Sequence, residues 1–116
     1  MDIKITLARP FKRYVEGFLR KRLLLPDDFE EFQKILIQNP EMGEKIQGTG
    51  GVRKTRLKSA SRGKSGGFRV CYYYVTKNYE IYLLSIYAKN EKEDLDSDDK
   101  KLLKQMAKIL DGGGRL

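Results

Sequence analysis

Apolar and polar residues alternate from Asp2 to Leu7, with Ile3, Ile5 and Leu7 on one side and Asp2, Lys4 and Thr6 on the other. That two-residue period predicts a half-buried strand. The period then lengthens. Phe11, Tyr14, Val15, Phe18 and Leu19 recur at helical spacing behind Pro10, a residue suited to a first turn, and the stripe runs to about Leu24. Pro26 interrupts it. Asp27, with Glu30 three residues on, reads as the N-cap of a second helix whose apolar face is Phe29, Phe32, Ile35 and Leu36. Asn39-Pro40 ends that helix, so the two predict a helical hairpin. Gly48-Thr-Gly-Gly51 signals a chain reversal, and strands are expected at about 52–58, 68–76 and 80–89. The first two are separated by a long, polar, basic stretch at 59–67, the last two by a tight turn around 77–79. Run 81–88 is apolar on both alternating sets, broken only by Ser85, as befits a central strand covered on both faces. After an acidic connection at 91–99, Ser97 is placed to cap a last helix with Leu102, Leu103, Met106, Ile109 and Leu110 on one face. The elements predict an α+β domain in the order β-α-α-β-β-β-α. Its antiparallel sheet is packed by the N-terminal hairpin and the C-terminal helix. Residues 1–111 form one domain, and 112–116 are expected to be a flexible tail.

Length agrees with one domain, since the chain has 116 residues. Charge adds more. Lys and Arg number 24 against 16 Asp and Glu, a net +8, and the excess is not spread evenly. Residues 45–79 hold nine bases and no acid, while the other 81 residues hold 15 bases and all 16 acids, a net of −1. There is no His, which excludes a Ser-His-Asp triad, an imidazole acid–base pair and a His-ligated metal. The single Cys71 forms no internal disulfide and no zinc set, as expected of a cytoplasmic protein. Neither a signal peptide nor a membrane span is expected, because no apolar run approaches the ~20 residues a bilayer requires. No metal or cofactor is expected.

Strand parity turns part of the basic block into a site. With Thr55 and Leu57 facing the core, Lys54, Arg56 and Lys58 share the opposite face. On the next strand Arg69 travels with Cys71, Tyr73 and Val75, and a common register puts it beside Lys54 or Arg56. Like charges opposed on a sheet are destabilising, so a cluster of this kind is matched to an anion. A phosphodiester fits, since Arg holds phosphates bidentately. Seven tyrosines add stacking faces, although strand packing accounts for most of 72–74, 79 and 82. Arg62-Gly-Lys-Ser-Gly-Gly67 is not a P-loop: Lys58 stands where the first glycine belongs, and the segment joins two strands.

Four segments carry a resemblance: Gly48-Thr-Gly-Gly-Val-Arg-Lys-Thr-Arg56, Gly63-Lys-Ser-Gly-Gly-Phe-Arg-Val70, Tyr72-Tyr-Tyr74 and Ile81-Tyr-Leu-Leu-Ser-Ile-Tyr-Ala-Lys-Asn90. Together they make the chain similar to RelE/ParE-superfamily toxins of the HigB type, over essentially its whole length and most strongly over 48–95. The resemblance implies a small microbial-ribonuclease-like fold and cleavage of messenger RNA in the ribosomal A site. It also implies a cognate antitoxin, often one with a helix-turn-helix DNA-binding domain. Lys54 and Arg56 match the basic positions on the strand after the helical hairpin, and Arg69 matches the arginine on the next strand. Lys89-Asn90 stands where RelE-type toxins carry a Lys-Arg pair. The tyrosine they place before the last helix has no counterpart, and Tyr87 is nearby at a different position.

On this reading Lys54 is the base that takes the 2′-hydroxyl proton, and Arg56 and Arg69 hold the scissile phosphate. Lys89 or Lys64 assists the leaving group. Contacts to RNA are expected from Arg53, Lys58, Arg62, Lys64, Tyr87, Asn90 and Lys92. Two other classes remain: a ParE-like gyrase inhibitor on the same fold, and a non-catalytic RNA-binding module. The antitoxin is expected either over the Lys54–Arg69 face or against the last helix.

Overall fold

The computed structural model describes residues 2–60, 67–89, 91 and 94–116. Strand β1 (Lys4–Leu7) leads through Ala8 into helix α1 (Arg9–Arg20), which is followed by α2 (Pro26–Gln38). A two-residue strand β2 (Glu44–Lys45) precedes β3 (Arg53–Leu57), β4 (Phe68–Val75), β5 (Glu80–Ala88) and helix α3 (Ser97–Asp111). The α+β class and the order of the main elements agree with the sequence.

Several details differ. Helix α1 closes at Arg20, where Arg22 turns into the left-handed region (φ 59°) and the Leu23 N–H bonds back to the Phe18 carbonyl. Leu24 is therefore buried as part of the interhelical turn rather than as the end of a helical stripe. Pro26 opens α2 instead of interrupting, because its fixed φ suits a first helical residue. Leu25 is the N-cap, and Asp27 and Asp28 sit in the first turn, where the helix dipole favours acids. At α3 the cap is Asp96 rather than Ser97. Its carboxylate accepts from the Asp99 N–H, and Asp99 accepts from the Asp96 N–H in return.

The sheet order is β1-β5-β4-β3-β2. All neighbours are antiparallel except β1 and β5, which run parallel with Lys4 opposite Glu80 and Leu7 opposite Leu83. The expectation of a wholly antiparallel sheet is corrected at that one pair. The hairpin α1–α2 carries the chain across one face to the far edge, and the meander β3-β4-β5 walks back to meet β1. After two reversals, β5 arrives pointing the same way as the strand it joins. Strand β2 escaped the sequence because two residues, Glu44 and Lys45, show no periodicity.

Each face of the sheet has its own core. Against the helical hairpin lie Leu57, Phe68, Val70, Tyr72, Ile81 and Leu83, packed on Phe11, Val15, Phe32 and Leu36. Against α3 lie Val52, Cys71, Val75 and Leu84, packed on Leu103, Met106, Ala107 and Leu110. β4 alternates between the two as expected. β5 does so with one irregularity: Cys71 is opposite Ser85 but Tyr72 is opposite Leu83, so β5 carries an extra residue there. At the C-terminus, the Gly114 N–H bonds to the Ile109 carbonyl at 2.8 Å and Leu116 rests on the second core. No helix among the described residues is long and apolar enough to cross a membrane.

One polar contact ties the turn after α2 to the sheet. The buried Tyr72 hydroxyl accepts from the Gly43 N–H at 2.9 Å and donates to the Pro40 carbonyl at 2.8 Å. Gly43 is needed for that approach: a Cβ there would stand 2.8 Å from the Lys54 carbonyl and 2.9 Å from the Tyr72 ring. Tyr72→Phe leaves both backbone groups unpaired in the interior. The variant is expected to lose about 1–3 kcal/mol of stability, read as a lower urea midpoint with an unchanged slope.

Candidate active site

Two rows of side chains run across β3, β4 and β5 on the face that also carries α3. In the first, Arg56 is directly opposite Arg69, and Arg69 is directly opposite Tyr87. In the second, Glu44 is opposite Lys54, Lys54 opposite Cys71, and Cys71 opposite Ser85. Facing residues on paired strands have Cβ atoms about 5 Å apart, so three cations are crowded into a patch two residues deep. The face is forced on them by β3, where Leu57 is fully buried on the hairpin side and Arg56 must therefore point away.

Local structure shapes each position. Arg56 is exposed and lies beside Gly67, whose φ of +98° and missing Cβ let the guanidinium cross the backbone: a Cβ there would meet the Leu57 carbonyl at 3.0 Å and Arg56 Nε at 3.6 Å. Arg69 is half-buried, and its Nη1 is shielded from water with no hydrogen-bond partner among the described residues. The Tyr87 hydroxyl and Ser85 Oγ are in the same condition. Lys54 is bound across space to Asp94, with Nζ 3.5 Å from Oδ1. The Leu95 N–H donates to the same Asp94 oxygen at 2.8 Å. That hydrogen bond, with the Lys54 charge behind it, holds the Asp94 carboxyl below its ordinary range.

Tyr87 is displaced the other way. Burial is the main cause, the Cys71 thiol and the Asp94 carboxylate add to it, and Arg69 opposes it; the phenol is pushed up to about 12. Burial and a hydrogen bond to Asp111 similarly push Tyr73 up to about 12. Beside the basic patch, Ser85 and Tyr87 line a groove of about 520 Å³ between α1 and α3, with Tyr14, Phe18, Leu102 and Met106 among its apolar walls.

The predicted residues divide clearly. Lys54, Arg56, Arg69 and Tyr87 are brought together. Lys58 and Lys89 are exposed, one step past the ends of β3 and β5, and the Lys89 N–H faces the Gly67 carbonyl at 3.4 Å. Arg53 is not part of the patch. It has the opposite parity and donates to the Glu41 and Gly43 carbonyls at 3.1 and 2.7 Å, so its cation fixes the turn after α2. Arg62, Lys64, Asn90 and Lys92 lie outside the described residues.

Three neighbours of the patch were not singled out in the sequence. Asp94 and Glu44 come from outside the acid-free block, and only pairing across space brings them to Lys54. Ser85 did leave a signal, as the one break in the apolar run 81–88. Among the described residues no group of three or more His, Cys, Asp or Glu is placed to hold a metal. Chemically, the patch offers two opposed guanidinium groups and an ammonium for a phosphodiester, and a phenol that stays protonated.

A model of the family described as "RelE toxin of RelE / RelB toxin-antitoxin system" matches residues 29–113. The fold is similar to the solved structure of a double mutant of the E. coli toxin RelE in the free state. The TM-score is 0.52 at 18% identity, with 80% of this chain and 90% of that one covered.

The tyrosines give a direct check on this geometry. Their shifts favour the neutral phenol in the folded state, so the stability they contribute is complete below the ordinary value near 10 and is lost as pH rises through about 12. In an ultraviolet titration of tyrosinate, Tyr73→Phe and Tyr87→Phe should each remove one late-ionising phenol. A Tyr87 that titrates with the exposed tyrosines would contradict its shielded position.

Proposed function

Because the chain belongs to the RelE toxin family, we propose that it halts translation, in the manner of a HigB-type toxin, by cutting messenger RNA in the ribosomal A site. Its place of action is the cytoplasm, and its neutralising partner is an antitoxin with a helix-turn-helix DNA-binding domain. One observation carries the reading: Arg56, Arg69 and Tyr87 stand in register across three strands, with Lys54 one step along the same face.

Strand scission by the neighbouring 2′-hydroxyl requires removal of its proton, stabilisation of charge at phosphorus and protonation of the departing 5′-oxygen. Arg56 and Arg69 supply the second requirement. Fixed cations aimed at a phosphoryl group are commonly the largest single contribution to such catalysis. In the sheet their mutual repulsion is tolerated without substrate and relieved by it, so the same contact serves binding and the transition state. Lys54 receives the 2′-hydroxyl proton once the incoming RNA has displaced Asp94 and the ammonium has given up a proton to solvent. Lys58 and Lys89 flank the patch and extend the positive surface along the RNA backbone. A gyrase-directed activity on this fold would have no evident use for this row.

The deciding experiment adds purified protein to translating ribosomes and maps the new messenger 5′ ends. Wild-type protein is expected to cut within the A-site codon. Arg69→Ala and Arg56→Ala should each slow cutting by roughly 10²–10³-fold while leaving the urea midpoint near that of the wild type. Undiminished cutting by Arg69→Ala removes the basis of the assignment. Binding without any product identifies a non-catalytic RNA-binding module instead.

Asp94 supplies a second test. Asp94→Asn releases Lys54 for phosphate, so affinity for single-stranded RNA should rise at low salt. The slope of log affinity against log salt should steepen by up to about 0.7, the contribution of one phosphate contact.

A further inference from the structure

On the α3 side of the sheet, three buried side-chain polar atoms lack a hydrogen-bond partner among the described residues. Arg69 Nη1, Ser85 Oγ and the Tyr87 hydroxyl are all shielded from water and all unpartnered. They are neighbours: Arg69 and Tyr87 are directly opposite, and Ser85 precedes Tyr87 by two residues on the same strand. Leaving a buried hydroxyl or N–H unpaired is costly, so three together on one face mark a place that a ligand completes.

The layout says which ligand group arrives at which atom. Lys54 is on β3, Arg69 on β4 and Tyr87 on β5. Two strand spacings across the sheet, about 10 Å, separate the first and last; Arg69, on the strand between, is opposite Tyr87 and diagonal to Lys54, which pairs with Cys71. Displacement at phosphorus is in line, with the attacking and departing oxygens on opposite sides. A phosphate centred over Arg69 therefore offers one oxygen towards β3 and the other towards β5. We propose that Tyr87 is the catalytic proton donor to the departing 5′-oxygen. This inference rests on the ribonuclease reading and gives Tyr87 the leaving-group role first expected of Lys89 or Lys64.

The step balances. Lys54 first gives one ammonium proton to solvent; the 2′-oxygen then forms a bond to phosphorus as its proton passes to the resulting amine, which ends the step as the ammonium again. The bond from phosphorus to the 5′-oxygen breaks as that oxygen takes the proton of Tyr87. The products are a 2′,3′-cyclic phosphate and a 5′-hydroxyl, and the phenolate recovers a proton from water after release. A phenol pushed up to about 12 stays protonated near neutrality, yet it remains more acidic than the alcohol of the departing nucleoside. Competing donors fit less well. The guanidinium groups of Arg56 and Arg69 do not release protons in proteins. Lys89 is exposed beyond the end of β5, and Ser85 is itself an alcohol.

The test compares two messengers on programmed ribosomes under single-turnover conditions. One is ordinary RNA, and the other carries sulfur in place of the 5′-oxygen at the scissile bond, a thiolate that departs without protonation. Tyr87→Phe should lose roughly 10²–10⁴ in rate on the oxygen substrate and close to nothing on the sulfur one. Because both rates come from the same preparation, any loss of folded protein cancels in their ratio. Lys89→Met serves as a control and should affect both messengers alike. Equal rates for wild type and Tyr87→Phe on the oxygen substrate overturn the proposal, as does an equal loss on both substrates, which would make Tyr87 a positioning residue. A wild-type protein that cuts neither messenger overturns the ribonuclease reading, and the Tyr87 assignment falls with it.

Discussion

Leu57 and Phe68 stand opposite each other across the β3–β4 pair, both fully buried under the helical hairpin, and the register they set decides where each charge on the other face must go. Burying side chains of this size is worth about 1.5–3 kcal/mol each. Opposing two like charges on a sheet costs at most about 1 kcal/mol. The core therefore wins, and Arg56 is held against Arg69 despite their repulsion. A slip of one residue would relieve the repulsion only by turning Leu57 to water and Arg56 into the core. What looks like an electrostatic site is built by apolar packing on the far side of the sheet.

The crowded cations are partly compensated within the chain. Lys54 meets Asp94, which arrives from the connection before α3, and Glu44 stands opposite Lys54 in the register of β2. A stretch free of acids in sequence is thus bordered by acids in space. The Lys54–Asp94 pair is a light restraint, because the Asp94 side chain is largely exposed and solvent screens such pairs. A polyanion that brings several charges to the same face outcompetes it easily. Repulsion between fixed arginines and a weak internal substitute for phosphate produce a surface that gains more from binding than it loses from waiting.

Much of this was legible in the residues. Alternation in 68–75 put Arg69 on the face of Cys71, Tyr73 and Val75, and those three do pack in the core beneath α3. Parity in β3 identified the face of Lys54 and Arg56, because Leu57 left only one choice. Arg53 shows the limit of charge counting. It belongs to the same run of bases, but parity sends it to the far face, where two carbonyls of the preceding turn bind it. The parallel pairing of β1 was hidden because it depends on where the helical hairpin delivers the chain, which no local period encodes. Asp94 was hidden for the same reason: it matters through a neighbour more than ten residues away in sequence.

The absence of histidine then constrains how such a site can work. No side chain in the cluster has an ordinary proton affinity near neutrality, so neither proton transfer is driven by a group already poised to give or take. Guanidinium groups can lower the energy of the charged transition state, and a phenol can protonate an alkoxide, but only if the reacting oxygens are already aligned with them. Alignment of that kind is worth about 7–11 kcal/mol when it is provided in advance. A shallow sheet face with two exposed cations at its edges does little to bend free RNA into line. Whatever chemistry this face performs therefore depends on the reacting oxygens being brought into line by something other than the face itself.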